Sequence, residues 1–192
     1  MLELKRIYWT RVALRMAYFA ATVWLVIAVI LSFQPDTTHV TLGKTGPSVT
    51  SIMHEMFDGV LAAITAPGLV IVALIITVLI IRSRDVRRRD PVRRFTRQQR
   101  RDGIARAGGQ CEMEAGFRRR CSRPAEHGDH FYPWSKGGST SLQNFVAACS
   151  RCSRAKGAQI PSPAQQQRLE GRRRTYVTLE GAVAVGERQP LP

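Results

Sequence analysis

The stretch Gly128-Asp129-His130 … Pro133 … Ser135-Lys136-Gly137-Gly138 … Asn144 … Cys149-Ser150-Arg151-Cys152-Ser153 … Lys156-Gly157 gathers most of the chemistry of this chain into one short segment. An imidazole titrates at about 6.5 when unperturbed, so neutral His130 can take a proton at cellular pH. Asp129 is a hard oxygen ligand suited to Mg²⁺ or another divalent cation. Adjacent residues of a strand point to opposite faces, so a site that uses both requires a twist or bulge at the strand end. Pro133 to Ser141, with Gly137-Gly138, reads as the loop between two strands. The apolar run Phe145-Val146-Ala147-Ala148 reads as the second strand. A short helix is predicted from about Cys149–Ser150, carrying Lys156, whose ammonium can contact a phosphate.

All four cysteines fall between Cys111 and Cys152. Cys149-x-x-Cys152 can grip one metal from a turn and the start of a helix, and Cys111 and Cys121 are the other half of a four-thiolate set. In an oxidising compartment the same residues read as two disulfides. A four-thiolate zinc site is closed, hence structural, and supplies folding free energy that a small core lacks. The insert Glu112–Arg120, with Gly116 and three arginines, reads as a loop.

This pattern resembles the HNH endonuclease family, a nuclease module of the ββα-metal type, over about Arg97–Ser162. The resemblance implies a two-strand-and-helix metal site cleaving phosphodiester bonds in DNA. Such cleavage needs an activated water, a cation on the phosphate and protonation of the leaving oxygen. It assigns His130 as general base and Asp129 as ligand of the catalytic divalent ion. It assigns Asn144, grouped with His130 as catalytic, to bracing the loop and orienting that ring. It places the four cysteines in a structural zinc frame. It departs from the family at Ser153, where asparagine or histidine usually completes the metal site from the helix; a neutral hydroxyl is a weaker ligand. Lys156, Arg151, Arg154 and Lys136 are the candidate nucleic-acid contacts. Nothing in the chain reads as a base-reading element, so the expected partner is double-stranded DNA bound without strong sequence specificity.

The formal net charge is +15 at pH 7, which points to a polyanionic partner, nucleic acid or an anionic membrane face. From Arg82 to Pro124 there are 15 arginines against 5 acids. This basic neck is compatible with a stop-transfer signal, with lipid head groups and with a DNA backbone. Met16–Pro35 and Gly59–Ile81 carry no charge, and each has the roughly 20 apolar residues that a spanning helix needs. Lys5, Arg6, Arg11 and Arg15 precede the first, and Arg82, Arg84, Arg87, Arg88 and Arg89 follow the second. The intervening loop holds only Lys44, so both termini and the nuclease module are expected in the cytoplasm. That placement favours zinc over disulfides. His54-Glu55 is no zinc-protease motif, because Asp58 stands where its second histidine would be. His39 and His54 read as loop residues.

The sequence thus predicts an α+β chain, two N-terminal transmembrane helices followed by a small zinc-stabilised ββα-metal domain. The expected segments are a basic N-terminus (1–15), a first span (16–35), an outside loop (36–58), a second span (59–81), a basic linker (82–95), the HNH domain (96–162), and a C-terminal helix and tail (163–192). Thr96 caps a helix ending at Gly108-Gly109, and Ser162-Pro163 starts another. Tyr176–Leu179 could form a strand. The alternatives are an inactive HNH scaffold that binds DNA at the membrane, and a disulfide-bonded domain outside the cell.

Overall fold

A computed structural model describes residues 2–32, 49–177 and 183–190. The chain is mixed α and β, and it divides into two units: Thr10–Ile80, and the residues up to Trp9 together with Ile81–Pro192.

The first unit is built from two long helices, α1 (Leu2–Ser32) and α2 (Val49–Arg87). Both outrun the uncharged stretches that predict them. Lys5, Arg6, Arg11 and Arg15 are good helix formers, so the basic N-terminus continues α1 rather than preceding it. No Pro or Gly lies between Val49 and Asp58, so α2 begins inside the expected loop; His54 is an exposed helical residue, not a loop residue. His39 lies outside the described residues. Pro67 is accommodated within α2 without ending it. Leu4–Leu31 and Phe57–Arg87 are long and apolar enough to cross a membrane, and only 6% of each apolar window is buried. Core helices of a soluble domain would hide those side chains; here Phe19, Ile30, Leu69 and Leu79 are exposed.

The second unit is organised on a two-stranded antiparallel sheet. Strand β3 (His127–His130) pairs with β4 (Phe145–Ala148), from His127 opposite Ala148 to His130 opposite Phe145. Helix α3 (Arg97–Arg106) starts at the Thr96 capping box, whose hydroxyl accepts from Gln99 N at 3.1 Å. It packs on one face of the sheet, where Phe95, Ala107, Phe145 and Ala147 form a core. Gly103 and Gly128 sit hard against the Phe145 ring: a Cβ would come within 2.3 Å and 1.9 Å of its carbons. The other face meets helix α4 (Ser150–Lys156) and helix α5 (Pro163–Arg173), with Phe131, Val146, Leu169 and Val185 as its core.

The insert expected as a loop is a hairpin, β1 (Glu114–Ala115) paired with β2 (Arg119–Arg120). Its turn puts both Phe117 and Arg118 at positive φ, 53° and 62°, the backbone that lets so short a connection follow the strand twist. The tail is not an appendage. Leu169 enters the core, Ser139 N donates to Glu187 O at 3.1 Å, and Gln189 N donates to Gly137 O at 2.9 Å. Of the strand expected at Tyr176–Leu179, Tyr176 and Val177 form no strand, and Thr178 and Leu179 lie outside the described residues.

A buried ion pair joins these parts. Arg173 donates to Glu112 Oε1 at 2.8 Å and Oε2 at 2.9 Å, both side chains having no exposure. Glu112 also accepts from Ala147 N at 3.0 Å and Tyr176 Oη at 2.9 Å. Burial pushes its carboxyl up, but the Arg173 guanidinium and these donors outweigh it and hold it below its ordinary value. Replacing Glu112 by Gln leaves a buried guanidinium without its counter-charge and should cost about 3–5 kcal/mol, read as a loss of chemical-denaturation stability. Gly128→Ala should cost about 1–3 kcal/mol by overpacking against Phe145, read in the same assay.

Candidate active site and metal centre

The four cysteines predicted as ligands converge. Cys111 and Cys121 flank the β1–β2 hairpin, Cys149 precedes α4 and Cys152 lies in its first turn. All are free thiols, three buried and Cys152 half-buried. Their sulfurs lie within 4.8 Å of one another, and Cys121 Sγ is 4.0 Å from Cys149 Sγ. Tetrahedral Zn–S bonds of about 2.3 Å place sulfurs about 3.8 Å apart, so a small contraction closes this cluster on one zinc. The donor set therefore fits a structural, four-thiolate metal. Burial raises the Cys111 and Cys152 thiols, whereas Cys149, also pushed up by burial, is drawn to about 7 by hydrogen bonds from Cys152, Cys111 and Cys121.

The register of β3 and β4 runs unbroken to His130, so no bulge is present; the two side chains meet different neighbours, yet they lie near enough for the Asp129 charge to act on the imidazole. His130 turns toward α3. Its ring lies 4.3 Å from that of Phe95 at 31°, and its Nε2 is 3.1 Å from Thr140 Oγ1. Burial is the main reason its pKa falls to about 4; the Asp129 and Asp90 charges push it up, and Lys156 and Arg93 push it down. His130 is thus a neutral imidazole at cellular pH. Its Nδ1 has no hydrogen-bond partner among the described residues.

Asp129 turns toward α4. Its Oδ2 meets Lys156 Nζ at 3.4 Å, and the same ammonium donates to the His130 carbonyl at 2.6 Å. Lys156, expected to reach a phosphate, is instead half-buried and committed inward; burial lowers its pKa and Asp129 offsets part of that. Ser153 makes no side-chain hydrogen bond among the described residues. Among those residues, the four cysteines are the one cluster of three or more histidine, cysteine or acidic ligand atoms.

Asn144 is fully buried and braces the loop. Its Oδ1 accepts from Tyr132 N at 2.8 Å, and its Nδ2 donates to Tyr132 O at 3.0 Å and Ser139 O at 2.7 Å. It has no polar atom left over for substrate and acts by holding the loop that follows His130. Arg151 and Arg154 are exposed on α4, and Lys136 ends a 3₁₀ turn, Trp134–Lys136. A cavity of about 610 Å³ opens between the hairpin, α4 and α5, and Arg119, Arg123, Arg151, Lys156 and Arg172 are among its lining residues. Sequence reasoning missed Phe95 and Thr140 beside His130. No periodicity or motif marks either; the capping box that starts just after Phe95 is the nearest local signal.

Loss of one thiolate should open the metal site. Cys149→Ser is expected to lose most bound zinc by elemental analysis and to melt at a markedly lower temperature than wild type. Retention of stoichiometric zinc would exclude Cys149 as a ligand.

No curated protein and no solved structure matches the chain. Residues 117–159 match the family model HNH endonuclease, and that span holds β3, β4, α4 and three of the four cysteines. The second unit therefore carries an HNH endonuclease domain, a module of nucleic-acid chemistry, in a chain whose other unit is a pair of apolar helices.

Proposed function

We propose that this protein is a membrane-anchored HNH endonuclease that hydrolyses phosphodiester bonds in DNA with a divalent metal ion. The observation that carries the reading is His130, a neutral imidazole with an unpartnered Nδ1, one residue from a carboxylate inside the HNH match. In this reading His130 takes the proton of the attacking water. Asn144 holds the loop that follows it.

Asp129 would hold Mg²⁺ or another divalent ion, with Ser153 a poor additional ligand. The residues fit such an ion only as one shared with substrate: Mg²⁺ is satisfied by one or two carboxylates, phosphate oxygens and several waters. Bound there, it would supply charge stabilisation on the phosphate. Lys156 contributes its positive charge beside Asp129.

Double-stranded DNA is the proposed substrate. The arginine-lined cavity beside Lys156 and the exposed Arg151 and Arg154 support it, and backbone contacts of this kind carry no sequence preference. The bilayer is the proposed second partner, with α1 and α2 as the two spans and the nuclease domain in the cytoplasm. The excess of basic residues before the first span and after the second supports that orientation.

A second reading is a DNA-binding scaffold at the membrane with little or no cleavage. The Asp129–Lys156 pair and the unpartnered Ser153 favour it, because an ammonium competes with a metal for the carboxylate. Plasmid nicking by the full-length protein in detergent, with Mg²⁺ or Mn²⁺, separates the two. The nuclease reading expects cleavage that His130→Ala reduces by roughly 10²-fold or more and that Ser153→Asn raises. Equal nicking by wild type and His130→Ala would exclude it.

A further inference from the structure

The segment between α2 and α3 reads in the sequence as a linker, and it lies outside the residues that match the HNH family. In the folded domain it is a wall of the site. Asp90 is buried, and its carboxylate accepts from Val92 N at 2.8 Å and from Thr140 N at 2.9 Å. Its carbonyl accepts from Trp134 Nε1 at 2.9 Å. The guanidinium groups of Arg89 and Arg93 each lie 5.2 Å from the centre of the Trp134 ring. Arg88 donates to Gln189 O at 2.9 Å, and Asp85 pairs with Arg188 at 3.0 Å. The path from the end of α2 to Phe95 is therefore fastened at both ends and in the middle.

This fastening converges on His130. Phe95 covers one side of the ring. The Thr140 hydroxyl donates to the Val92 carbonyl. A hydroxyl has one proton to give, so toward His130 Nε2 the Thr140 oxygen can only accept. That requires the proton on Nε2 and leaves the lone pair on Nδ1.

We infer that the neck Asp90–Phe95 is a positioning element of the nuclease site: the Val92 carbonyl, acting through Thr140, selects the imidazole tautomer in which Nδ1 is the free base, and Phe95 fixes the ring plane. Thr140 is the positioning residue at the centre of this relay. The inference rests on the reading of His130 as general base.

The test uses the full-length protein in detergent micelles, labelled with ¹⁵N-histidine and assigned by His130→Gln. The wild-type ring should show a protonated Nε2 and an unprotonated Nδ1; protonation on Nδ1 would overturn the relay without any variant being made. Thr140→Val, close in shape but without the hydroxyl, should give a mixture of tautomers and lower kcat by roughly 10²-fold with KM little changed. Thr140→Ser should restore both the tautomer and most of kcat. Wild-type kcat and tautomer in Thr140→Val would reject the proposal. If instead His130→Ala cleaves normally, the nuclease reading fails, and the ring spectrum still decides the relay on its own.

Discussion

The buried pair Glu112–Arg173 is the constraint on which the folded domain depends. A carboxylate and a guanidinium with no solvent exposure are costly unless every polar atom finds a partner. Here the cost is offset by satisfaction: Glu112 meets Arg173, Tyr176 and a strand amide, and Arg173 also donates to the Phe145 carbonyl at 2.8 Å. Those bonds reach β4, α5 and the segment beside Cys111. They bind the four-cysteine cluster, the β3–β4 sheet and the C-terminal helix into one body. Arg168 adds a more exposed link from α5 to Glu114 of the hairpin, at 2.8 Å. The tail belongs to the folded HNH-containing unit for this reason.

The β3–β4 sheet presents its two candidate site residues to different neighbours. Regular pairing gives His130 to the α3 face and Asp129 to the α4 face. Burial under Phe95 keeps the imidazole neutral, while on the far side Lys156 balances the aspartate. On the same face as His130, Gly103 and Gly128 seat closely on the Phe145 ring.

The two units obey different rules. In α1 and α2 many large apolar side chains are exposed, and both helices are long and apolar enough to cross a membrane. In the second unit the core is small, and polar networks and a thiolate cluster do much of the specifying. The arginine-rich neck joins them. It is held by Asp90, Trp134 and the tail rather than by its own propensity, which is why its run of like charges reads in the sequence only as a basic linker.

The sequence by itself determined the parts that rest on local pattern. The short apolar run Phe145–Ala148 and the glycine-bearing loop before it marked the strand pair. Thr96 and Ser162 marked the helix starts, ligand spacing marked the four cysteines, and length and hydropathy marked the two apolar helices. The adjacent Asp129 and His130 marked the chemistry. Only the tertiary structure decided what depends on residues far apart in the chain. Lys156 turns inward because β3 presents Asp129 to α4. Asn144 is a brace because its amide spans Tyr132 and Ser139. Glu112 meets Arg173 61 positions away, Arg173 meets Phe145 at 28 and Thr140 meets Asp90 at 50, and no local pattern encodes such pairings. Hydropathy and capping act over a few residues, whereas satisfaction of buried polar groups is settled only when the whole domain closes.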